Sequence, residues 1–331
     1  MLNVRSQSKL KDKNSKISEI DVILAYELFL NRKPESQEVI TNHLRAKNYK
    51  ELVFNFIRSV EFISKNYNKS MSVNLVEIGN YKVDVFISNE NLHRCLEIIK
   101  LSWTHLGLTK PHFSVLTNAN YLPEKFEINS DSFWKSGDNE KIMILDILKK
   151  YNIFNFKELD FSELGCGVGR VTNSVAREFK SIHGYDISSN HIALAKNRSK
   201  ELNINNINFS VVAENPLEDY TKTDIFYSRI VLQHNPPPII YILIGNMLKA
   251  LKPGGFALFQ VPTFKIGYEF DISKYLSKDH QLDMQMHFIP QRYIFDLVQN
   301  NQCKVLEVRE DNSIGMLGHA ISNFFIVTKE K

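Results

Sequence analysis

The run Glu163-Leu164-Gly165-Cys166-Gly167-Val168-Gly169-Arg170 places three glycines two residues apart, between a short apolar stretch and a helical pattern. Glycine reaches positive φ and carries no side chain, so a backbone built this way turns sharply and lies flat against a ligand. The chemistry implied is recognition of a nucleotide-like group, seated on bare backbone at the positive end of the helix that follows. A dinucleotide fingerprint sets its third glycine one residue later, where this chain has Arg170. Asp186 stands 17 residues beyond Gly169 (186 − 169), at the end of the next apolar stretch. A carboxylate there accepts from both hydroxyls of a ribose, and the competing reading is a helix N-cap.

Such residues need strands to deliver them, and the hydrophobic period supplies a frame from about residue 140 onward. The pattern predicts a helix over 140–151, a strand over 158–164 and, after the glycine loop, a helix over 170–179. Next come a strand over 181–185, a helix over 189–202, and strands over 207–212 and 224–230. A helix over 237–251 and a strand over 256–261 complete the alternation of a parallel, doubly wound sheet. Two closing strands, 304–309 and 324–329, have no helix of normal length between them, which predicts an antiparallel hairpin.

The loop resembles the first motif of the class I S-adenosylmethionine-dependent methyltransferases, and the closing hairpin is a feature of that family's sheet. The resemblance implies an α/β fold with a doubly wound, Rossmann-like, mostly parallel sheet, and S-adenosyl-L-methionine as cofactor. It implies that Glu163, Gly165, Cys166, Gly167 and Arg170 border the cofactor, with Asp186 and Ile187 at its ribose. Ala213, Glu214 and Asn215, at the end of the third strand, match the place where the family holds the adenine. The family more often has Asp where this chain has Glu214. The stretch 224–234 resembles the family's fourth strand, which brings backbone near Ser228 and Arg229 toward the methionine part of the cofactor. Leu251-Lys252-Pro253-Gly254-Gly255 resembles the turn before strand five, a structural feature in which Gly supplies a left-handed cap.

Asn235-Pro236-Pro237-Pro238 is similar to a motif of enzymes that methylate nucleobase amino groups, but it lies several residues beyond the strand end and no aromatic follows. We read it as a helix start, with Asn235 as N-cap and prolines in the first turn. Of ten histidines, none pair at the spacing of a zinc helix. His234, just beyond strand four, and His287, in a long insertion after strand five, are the candidate general bases; for each the competing reading is an ordinary loop or core histidine. No metal site is expected.

At 331 residues the length suggests about two domains. Residues 1–17 read as a disordered basic tail and 18–66 as a compact helical unit, with Ser36 capping the second helix after Pro34. Residues 67–138 read as a connecting hairpin around Gly79-Asn80, a helix over 91–106, and an irregular, aromatic-rich segment over 113–138. That segment is either a lid or a linker packed on the core. Residues 139–331 hold the predicted cofactor domain. The phrasing Ala25-Tyr26-Glu27-Leu28-Phe29-Leu30-Asn31-Arg32-Lys33-Pro34 with Ser59-Val60-Glu61-Phe62 resembles a small bacterial helical domain found in proteins of cell-surface glycan assembly. That resemblance implies a glycosyltransferase or other glycan-assembly partner.

Hydrophobic residues at 43% and charged residues at 24% are ordinary for a globular protein, and a net charge of +4 does not argue for nucleic acid. No stretch approaches the roughly 18 apolar residues of a membrane span, and the first residues carry no apolar leader segment. Cys95, Cys166 and Cys303 fit no metal spacing, so a reducing, cytoplasmic setting is expected. The sequence points to methyl transfer onto a small-molecule or glycan acceptor, first of all a sugar hydroxyl. Transfer to nitrogen or carbon of a metabolite and a non-catalytic cofactor-binding module are the alternatives. A nicotinamide dehydrogenase is opposed by Arg170 and the closing hairpin.

Overall fold

The computed structural model describes residues 17–59, 61–62, 82–212, 220–280, 282–311, 313–315 and 320–331. The chain divides into two compact units, Met1–Asn80 and Tyr81–Lys331. In the first, α1 (Glu19–Leu30), α2 (Gln37–His43) and α3 (Tyr49–Ile57) each begin at a polar cap: Ser18, Ser36 and Asn48 accept from the backbone amide of the third helical residue. Ser18 and Asp21 form a reciprocal capping box, and Asn31 ends α1 in the left-handed conformation. Val22, Tyr26, Leu30, Ile40, Leu52 and Phe56 fill the core between the three helices.

The second unit is built on seven strands: β1 (Asp160–Leu164), β2 (Ser181–Asp186), β3 (Ile207–Val211), β4 (Thr223–Ser228), β5 (Leu251–Lys265), β6 (Cys303–Glu310) and β7 (Ala320–Lys329). Their order is β3-β2-β1-β4-β5-β7-β6. The first five run parallel, and β7 lies antiparallel between β5 and β6. This is the doubly wound sheet with a closing antiparallel pair that the sequence predicts.

Successive side chains of a strand point to opposite faces, and the sheet uses this to feed two cores. Phe226, Ala257, Phe259, Phe325 and Val327 face one. Ile225, Tyr227, Phe256, Leu258, Phe324 and Ile326 face the other. On the second face lie α6 (Pro123–Lys150) and α7 (Arg170–Val175), and on the first lie α9 (Pro237–Ala250) and α11 (Gln291–Asn300). Each large side chain buried this way contributes roughly 1.5–3 kcal/mol.

β3 lies at one edge of the sheet and β4 beyond β2 and β1, with residues 212–222 between them in the chain. On the first face packs α4 (Asn89–Thr109), whose Leu92, Cys95 and Ile99 share a core with Tyr185, Phe226 and Ile239. The expected hairpin around Gly79-Asn80 lies largely outside the described residues. Of its second arm, Val83 and Val85 are buried in the same core, and Val83 bridges in parallel to Phe270.

The segment 113–138, expected to be irregular, is mostly helical. α5 (Pro111–Val115) and a 3-10 turn (Ala119–Tyr121) lead into the 28-residue α6, which opens on Pro123 at its first position. What reads as scattered aromatics is a cluster: Phe133 packs edge-on against His112, Tyr121, Phe126 and Trp134. α8 (Ser189–Glu201), capped by Ser188, and the short α10 (Ile272–Leu276) complete the unit. Among the described residues no helix is long and apolar enough to cross a membrane.

Candidate active site

β1 ends at Leu164 and the glycine loop turns back at once. The amides of Gly165 and Cys166 both donate to the Tyr185 carbonyl, at 2.7 and 3.0 Å, which ties the loop to β2. Gly165, Gly167 and Gly169 have φ of 71, 53 and 81°, values that only glycine adopts freely. Gly167 is confined twice over, because a Cβ there would meet Val115 of α5 at 2.6 Å.

Asp186 is the second anchor. Its carboxylate accepts from the Gly167 amide and from the Ser188 amide, both at 2.8 Å. The residue is 7% exposed and lies at the carboxyl end of β2. Asp186, Ile187, the loop and Val212 line a cleft over the carboxyl ends of the parallel strands, the place where open α/β sheets bind ligands.

Glu163, on β1, also lines the cleft and takes a hydrogen bond from the Thr172 hydroxyl. Burial pushes its carboxyl up to about 7, against the pull of Thr172 and Arg170. Beside it an ion cluster closes the second face of the sheet. Glu140 of α6 accepts from Arg229 at 2.8 and 3.0 Å and from the Tyr227 hydroxyl at 2.8 Å, and lies 3.5 Å from Arg170. Arg229 reaches on to Asp311 at 2.9 Å and to Ser313. Arg170, Tyr227 and Arg229 all line the cleft. Arg170 also donates to Ser136 at 3.2 Å, while its buried Nε has no partner among the described residues.

The roof comes from the helices upstream. Trp103 of α4 and Ser114 and Val115 of α5 line the cleft, and His191 of α8 joins them to Asp186. Its Nε2 lies 3.0 Å from the Ser114 hydroxyl and its Nδ1 3.4 Å from the Asp186 carboxylate.

The structure therefore gathers Glu163, Gly165, Cys166, Gly167, Arg170, Asp186 and Ile187 around one cleft. Ala213, Glu214 and Asn215 lie outside the described residues. Ser228 is not on the cleft: wholly buried, its hydroxyl donates to the Leu164 carbonyl, and its neighbours Tyr227 and Arg229 face the cavity instead. Neither candidate base, His234 or His287, lines the cleft. His234 Nδ1 is bonded to the Gln285 carbonyl at 2.8 Å, its ring packs on Trp103, and burial lowers its basicity. His287 is held by the Tyr268 hydroxyl and Gln285 Oε1, each at 3.0 Å. Burial, with His234 and His280 nearby, brings His287 down to about 3. Both sit in the polar core of the insertion because the insertion folds against the turn beyond β4, where the His287 amide donates to the Gln233 carbonyl at 2.7 Å.

Asn235 is a different kind of correction. It does not cap α9, which starts at Pro237 without a side-chain cap; its amide donates to the Val231 carbonyl at 3.0 Å, and it lines the cleft. Glu140, Ser114 and His191 carry no local sequence signal. They reach the site through helix packing, which a linear pattern does not encode.

Residues 162–255 match the family described as "Methyltransferase domain". Over those residues the chain is similar to a methyltransferase domain. The chain is 30% identical over 217 residues to a tRNA/tmRNA (uracil-C(5))-methyltransferase of Campylobacter hominis, covering 60% of this chain and 56% of that protein. It is 33% identical over 117 residues to phosphoethanolamine N-methyltransferase 2 of Caenorhabditis elegans, covering 34% and 26%. The chain thus spans about half the length of the first relative and a quarter of the second. Among solved structures it is similar to magnesium protoporphyrin IX methyltransferase of Synechocystis PCC 6803 with bound S-adenosylhomocysteine. That similarity has a TM-score of 0.45 and 15% identity, over 60% of this chain and 86% of that one.

The residues that line the cleft fit S-adenosylmethionine. Asp186 offers a carboxylate to a diol, Ile187 and Val212 offer apolar contacts to a flat ring, and Arg170 holds at the cleft wall a buried donor, Nε, with no partner among the described residues.

Proposed function

We propose that the protein transfers a methyl group from S-adenosylmethionine to a small-molecule acceptor, and that the acceptor atom is a hydroxyl oxygen of a sugar or glycan intermediate. The carrying observation is the joint placement of the glycine loop, Asp186 and Arg170 around one cleft at the strand ends. In this reading Asp186 binds the ribose hydroxyls, Ile187 packs on the adenine, and Glu163 and Arg170 hold the amino-acid end. S-adenosylmethionine, when bound, supplies a methyl already activated on a sulfonium. The protein's work is then alignment and exclusion of water.

The sugar hydroxyl rests on the resemblance of residues 18–66 to a domain of glycan-assembly proteins. A hydroxyl acceptor needs a base within hydrogen-bond reach, directly or through one water. His191 is the histidine on the cleft among the described residues, so it replaces His234 and His287 as the candidate. One observation favours a second reading, transfer to nitrogen: both ring nitrogens of His191 already have partners, and an amine acceptor asks less of a base.

The decisive experiment measures S-adenosylhomocysteine release with sugar-linked and amine acceptors in parallel. Release that depends on a sugar acceptor supports the first reading, release with amines alone supports the second, and failure to bind S-adenosylmethionine removes both.

A further inference from the structure

Five non-glycine residues among those described have positive φ; four are Asn or Gln, and the fifth is Ile230 at +61°. A β-branched side chain in the left-handed region is a true outlier, of the kind that persists only where surrounding structure over-determines it. Ile230 lies two residues beyond β4 and lines the cleft, between Arg229 of the ion cluster and Val231. Val231 packs on the glycine loop so closely that a Cβ on Gly165 would meet its methyls at 2.2 and 2.5 Å.

The restraint is visible. Gln260 of β5 is wholly buried and does not line the cleft, yet its Oε1 accepts the Ile230 amide at 2.9 Å. Its Nε2 donates to Gln233 Oε1 at 3.1 Å and to the Ser322 hydroxyl at 2.6 Å. Gln260 is thereby fixed to β7 on one side and to the 3-10 turn after β4 on the other. A polar side chain with no exposure is expensive unless every group on it is paired, and here the pairs converge on the one strained residue of the cleft.

We infer that Gln260 is a positioning residue: by holding Ile230 in the left-handed conformation it presses Val231 onto the glycine loop and sets the floor on which the cofactor lies. The inference rests on reading the cleft as the cofactor site. Isothermal titration of S-adenosylhomocysteine and thermal melting of the ligand-free protein test the two separately, using the full chain with Gln260→Met, Ile230→Gly and the double variant. Absence of binding by the unaltered protein would strike the cofactor reading alone, because melting still reports the link between the two residues.

Gln260→Met, similar in volume but without the acceptor, is expected to stay folded and to bind at least fivefold more weakly. Ile230→Gly keeps the backbone bond and relieves the strain, so Gln260→Met should then cost less melting temperature than it does beside Ile230. Unchanged affinity in folded Gln260→Met, or equal melting losses in both backgrounds, overturns the inference. If Gln260→Met does not fold, recovery of folding in the double variant supports it, and continued failure marks Gln260 as an ordinary core residue.

Discussion

The floor and the roof of the cleft are built by opposite routes. The floor is local: Glu163 to Arg170 is a single eight-residue run, and Asp186 follows at the end of the next strand, bonded back to Gly167. The roof is remote. Trp103, Ser114 and Val115 come from α4 and α5, more than fifty residues before Asp186 and His191, which they approach (186 − 115 = 71). A floor of this kind fails when one backbone position changes, whereas a roof held by several helices should lose its contacts one at a time.

The strongest way to break that contrast is at Gly167, where floor and roof touch. Gly167→Val would force a β-branched residue to a φ of 53° and drive its Cβ into Val115. The conformational penalty alone is roughly 1–2 kcal/mol, and with the overlap added we expect S-adenosylhomocysteine binding to vanish in calorimetry. Retained affinity would mean the loop is not the floor.

Asp186→Ala comes next. Hydrogen bonds to a charged group are worth about 1.5–3 kcal/mol each, so affinity should drop at least tenfold, and the loop should loosen as the Gly167 amide loses its acceptor. Equal affinity in a folded variant would sink the ribose assignment.

Acid–base behaviour sharpens the comparison, because a floor carboxyl and an insertion histidine titrate in opposite senses. The Glu163 carboxyl sits at about 7 in the folded protein against 4.5 ordinarily, so its contribution is intact below pH 4.5 and is lost as pH rises to 7. At 1.36 kcal/mol per unit that loss is about 3 kcal/mol. Glu163→Gln should flatten the fall in melting temperature between pH 4.5 and 7. His287 is displaced the other way, to about 3 from 6.5, so its contribution is complete above pH 6.5 and drains away as pH falls toward 3. His287→Gln should flatten that acid limb and spare affinity at pH 8; slopes unchanged in both variants would contradict the burial assigned to these groups.

The smallest effect is expected from deletion. A chain beginning near Tyr81 keeps every residue that lines the cleft. Its S-adenosylhomocysteine affinity should lie within about twofold of the full chain, and a larger loss in a folded product would bring the helical unit into the site.

How far the molecule is legible in its sequence follows the same division. The glycine spacing, the βα alternation and the closing hairpin are periodic or local signals, and they yield the parallel sheet with its antiparallel pair and seven of the cleft residues. The long α6 is harder to see, since its first half carries Phe126, Phe133 and Trp134 on a surface that packs against α5 instead of the sheet. His234 illustrates the limit in the other direction. Its position just past β4 is right for the rim, but the turn at Ile230 swings it toward Gln285, and a backbone conformation of that kind leaves no mark in an isoleucine codon. Glu140 looks like a solvent-facing acid at a helix start, yet two arginines and a tyrosine converge on it from β4 and α7.

The placement of α4 has a consequence for the order in which the chain comes into being. Leu92, Cys95 and Ile99 leave the ribosome well before Phe226 and Ile239, the residues that will cover them. At ordinary elongation rates of ~5–20 residues per second, the roughly 130 intervening residues take on the order of ten seconds. For much of that interval the helix has an apolar face and only part of its sheet, Leu164 of β1 and Tyr185 of β2, to lie on, so that face stays incompletely covered until β4 emerges and closes over it.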